Sequence, residues 1–200
     1  MKNVSIFLTD CYGGRGGIAQ YNRNLVNSLT SIKEISEITI FQRKIVYKSE
    51  KIPKKVKLIN KISNSKINYI LKTIYHSIFG KKYELIFCCH IHLLPFAWIL
   101  SLKNNCPLVL IIFGEEAWNQ TKYRISNYFC RKIDHLCSIR HYTAKKFFDW
   151  AKTKNLKYTY LPNCIEPKIY KSKFKNKKLL EKYKLKNKKI IISCARLDKE

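Results

Sequence analysis

The sequence predicts an α/β domain: a doubly wound parallel sheet with helices on both faces. Three observations predict it. Strand-like and helix-like segments alternate along the chain. Several strands, such as residues 107–113, are apolar throughout, as a strand must be when both of its faces are buried. A glycine-rich turn joins the first strand to the first helix.

Residues 4–9 form a short apolar run and read as a buried first strand. After Gly13-Gly14-Arg15-Gly16-Gly17, residues Ile18, Tyr21, Asn22, Leu25 and Leu29 fall on one face of a helix. Residues 38–41 and 56–59 read as the second and third strands. Ile67, Ile70, Leu71, Ile74 and Ile78 form an i, i+3, i+4, i+7, i+11 stripe, so residues 66–79 read as an amphipathic helix with that stripe on the core. A strand at 84–89 leads to a buried helix at 93–102, with Pro95 in its first turn. Strands follow at 107–113, 135–139 and 158–161, separated by helices at 123–133 and 143–151. Beyond Asn163 the chain turns polar and basic, with a short helix at 179–183 and a last apolar strand at 189–194. The expected organisation is therefore one domain over 1–163, a linker with a short helix over 164–188, and the first strand and loop of another α/β unit over 189–200. The chain stops one strand into that unit, which reads as truncation.

The composition narrows the function classes. At 46% hydrophobic and 13% aromatic, with six Gly and five Pro, the 200 residues can bury a core, which excludes a disordered or collagen-like chain. The formal charge of +27 comes from 40 Lys+Arg against 13 Asp+Glu, and only seven of the 40 are Arg. Arginine does most base-edge recognition, whereas lysine is a solvated point charge. The excess also sits mainly in residues 51–82 and 152–199, away from the motifs, so a nucleic-acid partner is not expected. The eight cysteines include no C-x-x-C pair and lie in or beside apolar runs, the pattern of reduced core cysteines in a cytosolic protein. No metal site is expected, because Cys88, Cys89, His90 and His92 lack partners at ligand spacing. The longest apolar runs fall short of a membrane span.

In open parallel sheets, ligands bind at the carboxyl ends of the strands, so the turns after Thr9, Cys89, Phe113, Ile139 and Leu161 are where chemistry belongs. Gly14-x-Gly16-x-x-Ala19 fits the dinucleotide fingerprint. However, four residues separate its first glycine from the strand, and the second strand ends Phe41-Gln42-Arg43-Lys44 without the acid that would hold a ribose. The same loop suits the diphosphate of a nucleotide sugar. Glycines let backbone N–H groups approach phosphate oxygens, and the following helix adds its positive end.

Taken together, Gly13-Gly14-Arg15-Gly16-Gly17-Ile18-Ala19-Gln20-Tyr21-Asn22, His90-Ile91-His92-Leu93-Leu94-Pro95, Phe113-Gly114-Glu115-Glu116-Ala117-Trp118, Leu161-Pro162-Asn163 and Ala195-Arg196-Leu197 occur in an order that resembles the retaining glycosyltransferases of the GT-B fold, family 4 or group 1. The resemblance implies two Rossmann-like domains across a cleft, the first holding the acceptor and the second the nucleotide-sugar donor. The reaction is metal-independent transfer of a sugar to a glycan or lipid-linked acceptor, in cell-surface polysaccharide or lipopolysaccharide biosynthesis.

The resemblance also implies site residues. Gly14, Gly16 and Gly17 are expected to meet the donor phosphates from the first domain and Arg196 from the second; His92 and Glu116 are the candidate catalytic groups. The family's E-x7-E motif would lie past Glu200, so the chain alone is expected to be inactive. There are two departures. Phe113 stands where the family often has histidine, and Ala195 stands where it has glycine. The basic helix 66–82, with Tyr69 and Tyr75, suggests an anionic membrane surface as a further partner, at the cytoplasmic face of the plasma membrane. The alternatives are a non-catalytic anion- or acceptor-binding module and a basic nucleic-acid-binding protein.

Overall fold

The computed structural model describes residues 1–47, 51–59, 65–153, 155–165, 171 and 174–193. The chain divides into two compact units, Met1–Cys164 and Ile165–Glu200.

The first unit is a seven-stranded, all-parallel sheet. Its strands are β1 (Lys2–Leu8), β2 (Ile35–Gln42), β3 (Val56–Leu58), β4 (Leu85–Cys88), β5 (Leu108–Ile112), β6 (His135–Ser138) and β7 (Lys157–Tyr160), in the spatial order β3-β2-β1-β4-β5-β6-β7. The predicted α/β class and the strand positions agree with this arrangement. β5 is wholly buried, as its unbroken apolar sequence requires, and β1 is buried from Val4 to Leu8.

The order of the strands decides where the helices lie. α1 (Gly17–Ser31) carries the chain from β1 to β2 and packs Tyr21, Val26 and Leu29 against Val4, Ile6, Leu8, Ile38 and Ile40. α2 (Lys66–Phe79) carries the chain back across the sheet to β4, so a right-handed crossover puts it on the opposite face. α3 (Leu94–Asn104), α4 (Arg124–Phe129) and α5 (His141–Ala151) continue in that direction. The core on this side joins Phe7, Phe41, Tyr69, Leu94, Leu100 and Phe147. The direction in which successive strands are added thus reverses between β1 and β4, and a crevice opens there at the carboxyl ends of the strands.

The stripe expected on the core side of α2 points the other way. Tyr69, Thr73 and Ser77 face the sheet, whereas Ile67, Leu71, Ile74 and Ile78 face outward. The periodicity identified the helix correctly, but the side that meets the core, Tyr69, Thr73 and Ser77, lies beside the most apolar arc and not on it. On this helix the tyrosine ring fills the core, and its hydroxyl donates to the carbonyl of Phe41 at 3.4 Å.

Cys88, Cys89, Cys130 and Cys137 are buried free thiols. Burial pushes the thiols of Cys88 and Cys130 up to about 12 and that of Cys137 up to about 11. They are therefore inert core residues.

In the second unit, α6 (Lys177–Lys182) is capped by Asn176, whose side-chain oxygen accepts from the N–H of Leu179 at 3.4 Å. Residues 189–193, expected as a strand, make no strand pairing among the described residues, and Ile191 and Ile192 stand exposed. An apolar run becomes a strand only where a neighbour supplies the ladder. Arg196, Ala195 and Leu197 lie outside the described residues.

Candidate functional site

The glycine turn is held from inside by α1. The Arg23 guanidinium donates to the carbonyls of Cys11 at 2.6 Å and Gly14 at 3.0 Å. The Asn22 amide donates to the carbonyl of Asp10 at 2.8 Å. From the neighbouring strand, buried Gln42 accepts from the N–H of Tyr12 and donates to the carbonyls of Tyr12 and Lys44. Where a dinucleotide-binding domain would use an acid to hold a ribose, this chain uses an amide to hold its own loop. The dinucleotide fingerprint thus lacks its ribose anchor here.

The five residues of the turn divide the work. Gly13 adopts φ +73° and receives the N–H groups of Val46 and Tyr47 on its carbonyl, so the turn is laced to the segment after β2. Gly14 is buried. A Cβ there would lie 2.9 Å from the Cβ of Asp10 and 3.1 Å from that of Ala19, and its N–H donates to the carbonyl of Cys11. Gly14 is thus a close-packing residue. Gly16, at φ +96°, starts α1, and Gly17 faces open space, so that a Cβ added there would meet nothing within 4 Å. No side chain caps this helix end among the described residues, and its first turn carries no acid. The 15-residue helix therefore presents an uncompensated positive end at Gly16 and Gly17.

Across the crevice, the chain leaves β5 through Phe113 and Gly114 into a single 3-10 turn at Glu115–Ala117. The Glu116 carboxylate folds back and accepts the N–H of Phe113 at 2.6 Å and that of Gly114 at 2.9 Å. Phe113 is buried edge-on against Tyr21, with ring centroids 5.1 Å apart, and the Tyr21 hydroxyl donates to the carbonyl of Leu161 at 3.3 Å. Gly17, Ile18, Tyr21, Phe113, Glu115 and Glu116 are among the residues enclosing an open groove of about 360 Å³, with Ile139 and Asn163 also in its lining. The lining combines the first residue of α1, an aromatic and aliphatic wall and two carboxylates, of which Glu115 is exposed.

His90 and His92 open the 3-10 turn after β4. His90 Nδ1 accepts the N–H of His92 at 3.2 Å, and the rings meet edge-to-face at 4.8 Å. His92 is exposed and packs against Tyr123, also at 4.8 Å; it is not among the residues enclosing the groove. Burial and, to a smaller extent, His92 lower the His90 pKa to about 4, against a small opposing pull from Glu116. Folded His90 therefore stays neutral down to about pH 4, while in the unfolded chain it takes up a proton near 6.5. Between these values the unfolded state binds the extra proton. The stabilisation is complete above pH 6.5 and is lost as the pH falls. Thermal and urea melts are expected to show about 2 kcal/mol less stability at pH 5 than at pH 7. His90→Asn, which keeps a capping oxygen, should flatten that dependence; an unchanged slope in the variant would assign it to other groups.

Three of the six residues named from the sequence, Gly16, Gly17 and Glu116, come together around this crevice. Gly14 lies beneath the turn, His92 stands outside the groove, and Arg196 falls outside the described residues. Sequence reasoning missed Arg23, Asn22 and Gln42, which position the loop. The scarcity of arginine was the available signal: one of only seven stands inside the first helix.

A parallel sheet with its switch point between β1 and β4, and a ligand-sized groove at the carboxyl edge, defines a Rossmann-like domain. Comparison with solved structures shows the fold more closely: it is similar to the N-terminal domain of a GT-B fold. The chain is similar to Anabaena Alr3699/HepE in complex with UDP and glucose (TM-score 0.65, 11% identity, 94% of this chain and 51% of that chain). It is likewise similar to the same protein in complex with UDP (TM-score 0.64, 15% identity, the same coverage). A third similar structure is the apo form of the lipopolysaccharide outer core galactosyltransferase WaaB (TM-score 0.55, 14% identity, 82% of this chain and 47% of that chain). The chain thus spans about half the length of these structures. No family model and no curated protein matches it.

Proposed function

We propose that the chain is the acceptor-side half of a retaining, family 4-type glycosyltransferase, acting on a nucleotide-diphosphate sugar and an acceptor hydroxyl. One observation carries this reading. The uncapped, acid-free start of α1 at Gly16–Gly17 and the carboxylate-bearing turn after β5 line one groove at the sheet's carboxyl edge. The solved complexes of Alr3699/HepE with UDP and with UDP-glucose support it by fold.

In the proposed reaction, the bond from the anomeric carbon to the donor phosphate breaks and the electron pair leaves with the diphosphate. The acceptor oxygen bonds to the same face of that carbon and passes its proton to the departing phosphate oxygen. Charge builds on the leaving diphosphate, so N–H donors and cations aimed at it lower the barrier. The N–H groups at Gly16 and Gly17 take that role here. The family's metal independence carries over with the resemblance. Phe113 and Tyr21 offer the apolar wall against which a sugar ring rests, and Glu115 the exposed carboxylate for an acceptor hydroxyl. Glu116, with both oxygens on backbone N–H groups, holds the turn and keeps a remaining lone pair toward the groove. His92, outside the groove against Tyr123, is given no step in this reaction. The acceptor is a glycan or lipid-linked glycan, in cell-surface polysaccharide or lipopolysaccharide assembly at the cytoplasmic face of the plasma membrane.

The second reading, an anion- or acceptor-binding module without catalysis, is favoured by Phe113, which can neither donate a hydrogen bond nor carry a proton.

Gly17→Asp separates binding from folding. Open space surrounds the position, and an acid in the first turn of a helix is mildly stabilising. Melting temperature should hold or rise slightly, while affinity for UDP, GDP or ADP, measured by calorimetry, should fall by roughly tenfold or more. Unchanged nucleotide affinity in the variant, or no binding of any of the three by the wild type, would remove the phosphate role from this loop. Release of nucleoside diphosphate from UDP-, GDP- and ADP-sugars tests transfer itself; binding without release leaves the module reading ahead.

A further inference from the structure

α2 buries its less apolar side. Tyr69, Thr73 and Ser77 contact the core, two of them small and polar. Ile67, Leu71, Ile74, Tyr75, Ile78 and Phe79 are 44–71% exposed. The adjacent α3 extends the apolar surface with Ile99 and Leu102, 49% and 65% exposed. Between the two helices runs a furrow of about 210 Å³, walled by Ile74, Ile78, Phe96 and Ile99. Single exposed apolar residues are ordinary, but a contiguous patch of this size marks a surface that something covers.

Charge and length indicate what covers it. α2 contains no acidic residue, and Lys66 and Lys72 flank its apolar arc, with Lys82 just beyond its end. Lys81 is engaged with Glu37 and Lys103 with the carbonyl of Ile78, so those two are already spent. At 14 residues the helix is about 21 Å long, shorter than the ~30 Å hydrocarbon core, and no helix among the described residues is long and apolar enough to cross a membrane. Apolar side chains rimmed by lysines on a short helix suit the plane of an anionic interface. A second copy of the chain fits poorly, because a two-fold contact here would oppose the lysine rims.

We propose that this face seats on an anionic lipid bilayer. α2 lies in the interfacial plane, Ile67, Leu71, Ile74 and Ile78 enter the acyl boundary, and Lys66, Lys72 and Lys82 meet headgroup phosphates. This names the face used in the membrane association proposed above and rests on that reading; it does not depend on sugar transfer, since its test uses no donor.

The test is co-sedimentation of the full chain with phosphatidylcholine vesicles, with and without roughly one-third phosphatidylglycerol. Wild type should partition at least tenfold better to the anionic vesicles. Ile74→Glu/Ile78→Glu should lower that partitioning about tenfold or more, with an unchanged melting temperature because both side chains are exposed. Lys66→Gln/Lys72→Gln should lower it roughly tenfold on anionic vesicles only. Tyr75→Trp should add a blue-shifted emission component on anionic vesicles. No wild-type binding, or equal binding to both vesicle types, overturns membrane association as a whole. Anionic binding that survives the isoleucine substitutions overturns this face alone. A lipid-free dimer in light scattering, dissolved by those substitutions, would give the face to a second copy instead.

Discussion

Gly13→Ala is expected to destabilise the protein by about 3–4 kcal/mol, read as a lowered denaturant midpoint at unchanged m-value. The left-handed backbone at φ +73° costs a non-glycine residue about 1–2 kcal/mol. A Cβ at this position would also lie 2.5 Å from the carbonyl oxygen of Tyr47. That atom belongs to the backbone, so the segment after β2 must move, and the two N–H groups of Val46 and Tyr47 lose the Gly13 carbonyl. Each such bond contributes about 1 kcal/mol. The same displacement frees Tyr47 from beneath the Arg15 guanidinium, which sits 3.8 Å from its ring centre. Nucleotide affinity should fall together with stability, in contrast to Gly17→Asp. A loss of affinity at full stability would mean that Gly13 touches ligand directly.

Glu116→Ala should cost about 2–4 kcal/mol and abolish the groove's shape at the β5 end. The substitution leaves the N–H groups of Phe113 and Gly114 without their acceptor at a partly buried turn, and each orphaned donor costs about 1–3 kcal/mol. Glu116→Gln keeps one acceptor oxygen and should recover roughly half of the loss. Glu115→Ala, at an exposed neighbouring position, should leave stability within about 0.5 kcal/mol of wild type. Denaturation of the three variants, paired with acceptor-dependent turnover where it is measurable, separates a carboxylate that holds the turn from one that meets the acceptor. Equal stability of the Glu116→Ala and Glu115→Ala proteins would overturn the assignment.

The contrast between those two glutamates shows where sequence reading stops. The apolar runs at 4–9 and 107–113 announced buried strands, because only a sheet covered on both faces tolerates such uniform composition. The glycine turn and the β5 turn were visible as motifs, and the parallel topology placed them on one edge. Two adjacent carboxylates look alike in sequence, however. Which one folds back onto the backbone depends on the 3-10 turn that follows Gly114. Likewise, Gly14 and Gly17 are identical letters three residues apart, yet one is packed against Asp10 and Ala19 and the other faces open space. The inversion of α2 was illegible for a related reason. A helix with apolar residues over more than half its circumference has more than one arc able to face a core, and the choice is made by the shape of the sheet beneath it.

The strand order also governs how the molecule is made. Of the strands in this sheet β1 is synthesised before the others, yet it ends inside the sheet, with Val4 paired to both Ile38 on one side and Leu85 on the other. At ordinary translation rates, its second partner follows about 4–16 s later. During that interval a largely apolar strand carrying Val4, Ile6, Phe7 and Leu8 waits with one edge unpaired. The growing chain thus depends on early docking of α1 and β2, or on a holding chaperone, to keep its earliest apolar strand from aggregating before β4 arrives.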